Sequence, residues 1–198
     1  RLPAVRRARA LAAAGRLGRP RRARAFYTKG LLHNGCHMVD FLSFFLGPLR
    51  EPRVRARRAA GELDLLARAA GAEVQLLCAR AREYSLNEAD ILFSAGRVRL
   101  CDNGRRLEVW RSRPNPWAEG RPQGLGGGTS SGYPSVGRRL ELDERLSGPS
   151  ALGSAMSLML DEVVGGLDTG KAIGGCPVGE ALRTLEFCER AEGLPEER

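Results

Sequence analysis

Polar and apolar residues alternate along several short segments between residues 22 and 111. This alternation puts every second side chain on the same face, which is typical of a strand with one buried face. Turn sequences separate the segments, among them Gly71-Ala72, Ser94-Ala95-Gly96 and Asp102-Asn103-Gly104. The pattern predicts a broad, largely antiparallel sheet with strands at residues 22–28, 53–59, 63–69, 73–79, 89–93, 97–101 and 107–111.

Other segments have helical spacing. Residues 3–14 begin with Pro3, which suits the first turn of a helix, and end before Gly15. Residues 151–167 and 178–191 each carry one apolar stripe and are separated by a turn around Gly174-Gly175. We expect these stripes to cover one face of the sheet, through Leu152, Met156, Met159, Leu160 and Val163 in the first helix and Leu182, Leu185 and Phe187 in the second.

A long segment rich in proline and glycine, residues 113–136, separates the strands from the last two helices. Its run from Gly124 to Gly132 is similar in composition to a nucleotide-binding loop. However, it neither follows a clear buried strand nor opens a helix, as a phosphate-binding fingerprint requires. A loop on the surface or at a subunit contact is the better interpretation.

The chain holds only two histidines, His33 and His37, and both lie where the first strand gives way to a helix. Asn34 is a natural N-cap for that helix, because its side-chain oxygen can accept a hydrogen bond from a first-turn amide. Gly47-Pro48 ends the helix, and its apolar stripe consists of Met38, Phe41, Leu42 and Phe45.

This placement gives His37 a possible chemical role. In the first turn it lies next to the positive end of the helix dipole, which disfavours the imidazolium and keeps the ring neutral near neutral pH. A neutral histidine can exchange a proton with a substrate hydroxyl or carbonyl. Lys29, one of the two lysines in the chain, lies beside it at the end of the strand.

Two other interpretations of the histidines stay open from the residues alone. A histidine in a first turn is often only a polar residue held by local hydrogen bonds. His33, Cys36 and His37 also suggest a metal site, but no second Cys/His cluster completes the ligand set, so we expect no metal.

Length and composition limit the classes of protein. A chain of 198 residues with 42% hydrophobic residues can form one sizeable domain, or a domain with an arm, and is not disordered throughout. No apolar run approaches the roughly 20 residues that span a bilayer, and no signal peptide is evident. Five scattered cysteines without a CxxC pair suit free thiols in a reducing compartment. We therefore expect a soluble cytoplasmic protein that contacts no membrane.

The net charge of +9 is unevenly distributed. Residues 1–39 contain nine arginines, one lysine and no acid, whereas the remainder holds 22 basic and 23 acidic side chains. A nucleic-acid surface more often interleaves basic residues with aromatic ones, and the first 25 residues contain no aromatic residue. We therefore interpret the excess as an arginine-rich exposed face and expect no nucleic-acid partner.

The order of these motifs resembles a known family. A helix, a Gly-x-Leu-Gly turn, a strand ending in Lys29-Gly30, and then His33-Asn34-Gly-x-His37-x-x-Asp40 are similar to the C-terminal domain of the Gfo/Idh/MocA (glucose-fructose oxidoreductase / inositol dehydrogenase) family of NAD(P)-dependent oxidoreductases. The resemblance continues through Asp90-Ile-Leu-Phe-Ser-Ala-Gly and Asp102-Asn-Gly to Glu180-Ala-Leu-Arg-Thr-Leu-Glu. It therefore covers essentially the whole chain.

The resemblance implies an α+β fold, an open, largely antiparallel mixed sheet with helices on one face and the other face available for subunit association. It also implies a role for His37, which falls on the family's usual acid/base histidine. Lys29, His33 and Asn34 become substrate-binding candidates, with His33 in the position of a family aspartate. Asp40 matches an acidic residue that is more plausibly structural.

Two features of the family are missing from this sequence: a strand-GxGxxG-helix unit and a Glu-Lys-Pro segment, which supplies a catalytic lysine. The resemblance implies that residues 1–21 are a helix and turn linking from an absent Rossmann domain, and that residues 22–198 form the substrate-binding and oligomerisation domain. NAD or NADP would be bound mainly by the absent domain, the substrate would be a sugar or sugar derivative, and this chain alone would be inactive. The alternative is a non-catalytic dimerisation or scaffold domain.

Overall fold

The computed structural model describes residues 2–80, 85–112, 138–146, 151–170 and 178–197. Within these residues the chain forms one sheet and four α-helices. The helices are α1 (Pro3–Ala13), α2 (Cys36–Leu46), α3 (Ala151–Thr169) and α4 (Val178–Glu192). The strands are β1 (Pro20–Tyr27), β2 (Arg50–Ala59), β3 (Glu62–Ala69), β4 (Ala72–Cys78), β5 (Glu88–Phe93), β6 (Gly96–Cys101), β7 (Arg106–Ser112) and β8 (Arg138–Arg145).

The sheet is mixed but largely antiparallel, in the order β2-β3-β4-β1-β5-β6-β7-β8. Among the described strands only β1 and β4 run parallel, and β1 pairs antiparallel with β5 on its other side. This strand order arises because β2, β3 and β4 form a meander on one side of β1, while β5 to β8 form another on the opposite side. The predicted α+β class is confirmed.

Alternation along the strands separates the two faces of the sheet. In β1, Ala23, Ala25 and Tyr27 are buried, whereas Arg22 and Arg24, which alternate with them, are exposed. The buried residues belong to one hydrophobic core that also contains Val5 and Ala8 of α1 together with residues of α2 and α4. Burial of apolar surface in this layer stabilises the fold at about 25 cal/mol per Å².

Charged and polar residues line much of the opposite face, which we call the open face. Arg97 forms an ion pair with Asp90, in which its Nε and Nη2 atoms donate to the two carboxylate oxygens. Arg106 makes a two-pronged contact with Asp143, at 2.7 and 2.6 Å. These ion pairs join neighbouring strands on the open face, whereas the other face is packed with apolar side chains.

The predicted strands and helices agree with the structure to within a few residues, with one omission. Strand β8 was not predicted, because its sequence Arg-Arg-Leu-Glu-Leu-Asp-Glu-Arg buries only Leu142 among its described side chains. Segment 113–136 and the turn at Gly174-Gly175 lie outside the described residues. No described helix is long and apolar enough to cross a membrane.

The predicted stripe of α4 is confirmed at Phe187 and wrong at its other two positions. Leu182 and Leu185 are exposed, and the helix instead buries the set Thr184, Phe187, Cys188 and Ala191. The buried spacing of three, four and seven residues is ordinary for a helix, but it is displaced from the most apolar stripe. In α3, Met159 and Leu160 are also exposed and Val163 is half-buried, whereas the side chains of Leu152 and Met156 are not among those described.

Candidate functional site

The site begins where β1 ends and the chain reverses. Lys29 and Gly30 have left-handed backbone angles, with φ of 65° and 85°. A side chain on residue 30 would put its Cβ only 3.3 Å from the Gly61 carbonyl oxygen. That carbonyl accepts a 2.8 Å hydrogen bond from the Leu31 amide. The turn between β2 and β3 therefore fixes the start of the next helix.

That helix begins earlier than the sequence pattern predicts. Leu31–Gly35 form a π-helical turn that runs directly into α2, with Gly30 at its N-terminal cap position. Asn34 therefore lies inside the helical segment and caps nothing, contrary to the prediction. Because the amides that have no partner inside the helix now belong to residues 31–34, His33 rather than His37 lies in the first turn, near the positive end of the dipole.

Gly35 holds the helical turn close to the sheet. A Cβ at this position would lie 2.9 Å from both Tyr27 Cε2 and Leu31 Cδ1. Tyr27 is itself fixed, since its hydroxyl donates a 2.5 Å hydrogen bond to the Leu63 carbonyl. Burial of this phenol raises the pKa of Tyr27 far above its usual value, so the group is a structural donor and not a catalytic acid.

His33 and His37 are both exposed, and their spacing of four residues places them on the same side of the helical segment. Neither imidazole has a hydrogen bond or ion pair within the described residues. Lys29 is exposed at the adjoining strand end, and Asn34 is half-buried. The Cys36 thiol donates to the backbone carbonyl of His33 at 2.9 Å. The structure thus brings the predicted residues into one stretch of surface, with both imidazoles accessible to a ligand.

A separate cleft of about 380 Å³ lies beside the C-terminal part of α2, and neither His33 nor His37 lines it. Asp40, Ser43 and Phe44 form one wall, and Arg183 and Thr184 of α4 contribute to the other. Arg9 Nε of α1 donates a 2.6 Å hydrogen bond to the Phe44 carbonyl at its rim. The α4 residues were not predicted as part of a site, because nothing in the local sequence shows which helix packs beside α2.

The described residues offer no evident place for a metal or a dinucleotide. They contain no group of three or more His, Cys, Asp or Glu side chains arranged to hold a metal ion. A dinucleotide-binding unit needs parallel strands joined through a helix with a Gly-rich first turn. The parallel pair described here, β1 and β4, has neither such a turn nor consecutive strands.

Comparison with known proteins gives a likeness in three dimensions only. No protein-family profile matches the chain, and no curated protein sequence matches it. Among solved structures, an oxidoreductase from Agrobacterium radiobacter in complex with NAD+, L-tartaric acid and magnesium has a TM-score of 0.58 and 17% identity. That match covers 95% of this chain and 59% of the other.

Two further structures have the same relation to the chain. WlbA dehydrogenase from Bordetella pertussis, in complex with NADH and UDP-GlcNAcA, has a TM-score of 0.58 and 17% identity over 98% of this chain and 62% of the other. A super-repressor mutant of Gal80p from Saccharomyces cerevisiae has a TM-score of 0.64 and 12% identity over 96% and 60%. The chain thus spans about three fifths of the length of these proteins, and its fold is one found in NAD-linked oxidoreductases and in Gal80p.

Proposed function

We propose that this chain is the substrate-binding and oligomerisation domain of an NAD(P)-dependent oxidoreductase of the Gfo/Idh/MocA family. The substrate is a sugar or sugar derivative that reacts at a CH–OH group. The observation that carries the proposal is the pair of accessible imidazoles, His33 and His37, on a helical turn fixed at the sheet edge. The shared fold with NAD-linked oxidoreductases supports it.

His37 is the acid/base in this proposal. As a base it takes the proton of the reacting hydroxyl, and in the reverse direction it returns that proton to the carbonyl oxygen. Lys29 and His33 orient or polarise the same oxygen from the strand end and the preceding helical turn. Asn34, half-buried beside them, contacts substrate through its amide.

The cofactor is NAD or NADP, which supplies the hydride-transfer chemistry when bound. It is held mainly by a Rossmann domain that this sequence does not include. The difference in length between this chain and the solved structures leaves room for such a domain in them. Because the nicotinamide must lie against the substrate, the chain by itself has no turnover.

The test is the His37→Ala variant in the complete protein that carries both domains, assayed by NAD(P)H absorbance. We expect kcat to fall by about 10² to 10⁴, the usual contribution of general acid/base catalysis. Arg22→Ala, an exposed substitution on the open face, is the matched control and should leave kcat unchanged. A loss of less than about tenfold for His37→Ala contradicts the acid/base role.

The open face supports a second role, in self-association. Leu92 and Leu140 are 42% and 39% exposed there. They lie in one cross-strand row with Arg97 and Trp110. If this face joins two copies, Leu92→Glu should convert the oligomer to a monomer in light scattering after size exclusion. A wild-type monomer at all concentrations contradicts the association.

The competing proposal is a non-catalytic scaffold with the same association. It is favoured by the fold shared with the super-repressor mutant of Gal80p. A complete protein that associates but shows no nicotinamide-linked turnover on sugars would support the scaffold. Both proposals place the protein in the cytoplasm, in keeping with the free thiols of Cys36, Cys78, Cys101 and Cys188.

A further inference from the structure

A second cavity lies on the open face of the sheet, at the edge where β1 and β4 reach their carboxyl ends. We call it the edge crevice; its volume is about 330 Å³. Phe26 and Leu77, cross-strand neighbours in β1 and β4, give it an apolar floor. Arg58, Asp64 and Arg80 supply its charges. The crevice therefore combines an apolar surface with a surplus of guanidinium groups.

Arg58 and Asp64 form the fixed wall of the edge crevice. Two guanidinium nitrogens of Arg58 donate to the two carboxylate oxygens of Asp64, at 2.8 and 2.6 Å. Arg58 also donates to the Cys78 carbonyl at 3.0 Å, and Asp64 accepts from the Cys78 amide at 2.8 Å. The charges of Arg58 and Asp64 neutralise one another, and the hydrogen bonds to Cys78 hold both side chains at the end of β4.

Arg80 supplies the charge that is left over. Its side chain is exposed, and it has no ion pair within the described residues. Two arginines and one aspartate give the edge crevice one net positive charge. Guanidinium groups bind phosphate and carboxylate in a two-pronged geometry, and they do so best when no protein carboxylate competes.

The edge crevice adjoins the proposed reaction site. The Ala79 amide donates to the Tyr27 carbonyl at 2.8 Å, so β1 and β4 end side by side. Lys29 and Arg80 therefore leave neighbouring strand ends. The Leu31 amide binds Gly61 at the same edge of the sheet, which brings the helical turn of His33 there as well. A substrate extending from His37 across this edge would meet Lys29 first and Arg80 next.

We propose that the edge crevice binds an anionic group of the substrate, a phosphate or a carboxylate, at a distance from the reacting carbon. Arg80 binds the anion, the Arg58–Asp64 pair shapes the wall, and Phe26 and Leu77 contact the apolar side of the bound group. This inference rests on the proposed function and specifies its substrate as an anionic sugar derivative.

Binding to the isotopically labelled chain tests the proposal directly. Inorganic phosphate and acetate are titrated separately while the backbone amide resonances of Arg58, Cys78 and Arg80 are followed by NMR. We expect saturable shifts with at least one anion, and Arg80→Gln should raise its Kd about tenfold or more, the typical effect of losing a hydrogen bond to a charged group. Arg22→Gln is the matched control.

Each outcome of the titrations supports or overturns the proposed anion site. Shifts with phosphate alone assign a phosphate, and shifts with acetate alone assign a carboxylate. Absence of shifts with both anions overturns the proposal, as does an equal weakening by Arg22→Gln. Unchanged far-ultraviolet circular dichroism confirms that Arg80→Gln folds, as expected for an exposed side chain.

Kinetics of the complete protein separate this inference from the proposed function. Arg80→Gln should raise KM for the sugar substrate about tenfold with kcat unchanged, since the anion is bound equally in the ground state and the transition state. His37→Ala should instead lower kcat. If Arg80→Gln leaves KM unchanged while His37→Ala still abolishes turnover, the edge crevice is wrong and the proposed function stands.

Discussion

Replacing Gly35 by alanine tests whether close packing holds the histidine-bearing turn against the sheet. Gly35 has an ordinary helical φ of −61°, so alanine adds no backbone strain. The new methyl group would lie 2.9 Å from both Tyr27 Cε2 and Leu31 Cδ1, which is closer than real Cβ atoms approach. The tyrosine ring has little freedom to yield because its hydroxyl is bound to Leu63.

Two effects of opposite sign determine the size of the change. Alanine is favoured over glycine inside a helix by about 1 kcal/mol. An extra methyl group in a well-packed core costs about 1 to 3 kcal/mol. We expect the overpacking to dominate, with a net loss of up to about 2 kcal/mol in the free energy of unfolding. For a chain of this size that lowers Tm by up to about 8 °C.

Gly165 of α3 provides the matched control. It is also a helical glycine, but no atom lies within 4 Å of the position its Cβ would take. Gly165→Ala should therefore have the same stability as wild type or a slightly higher one. Thermal and urea unfolding followed by circular dichroism measure both variants. If Gly35→Ala is as stable as Gly165→Ala, the close packing at this turn is not real.

Further substitutions test other parts of the fold. Phe187→Ala should cost about 3 to 5 kcal/mol and Leu185→Ala less than about 0.5, because only the first is buried; similar urea midpoints would contradict the observed face of α4. Asp64→Asn should cost about 1 to 3 kcal/mol, because it weakens the bonds to Arg58 and the Cys78 amide. The exposed Asp143→Asn should leave the urea midpoint unchanged. Burial raises the pKa of Cys188 to about 12, so this thiol contributes stability that is lost as pH rises from its unfolded pKa of about 8.5 towards 12. Cys188→Ala should therefore flatten the fall in urea midpoint between about pH 8 and pH 10, and an unchanged slope would show that the thiol is not the cause.

Much of the sheet follows from the sequence because period-two alternation is a local signal. This signal does not predict strand β8, since most of its residues are charged and Leu142 is the only buried side chain among those described in it. The buried face of α4 could not be predicted from a local pattern either. Packing against α2 selects Thr184, Phe187, Cys188 and Ala191, although Leu182 and Leu185 are more apolar than two of these.

The sequence predicts that the two histidines share one side of a helix, because residues four positions apart lie one turn from each other. The residue at which that helix starts could not be predicted. A side-chain cap at Asn34 is a local pattern, whereas the actual partner of the Leu31 amide is the Gly61 carbonyl, which belongs to a distant turn. The α2–α4 cleft and the edge crevice were missed for the same reason, because each combines residues that only the tertiary fold brings together.

The central claim is that His37 exchanges the proton of the reacting hydroxyl. The most direct measurement is the pH dependence of kcat/KM for sugar oxidation by the complete protein, compared between wild type and His37→Gln. We predict that wild type loses activity at acidic pH, where the catalytic base becomes protonated, and that His37→Gln loses most of its activity together with this dependence. A His37→Gln enzyme that keeps both the rate and the same acidic limb would contradict the account.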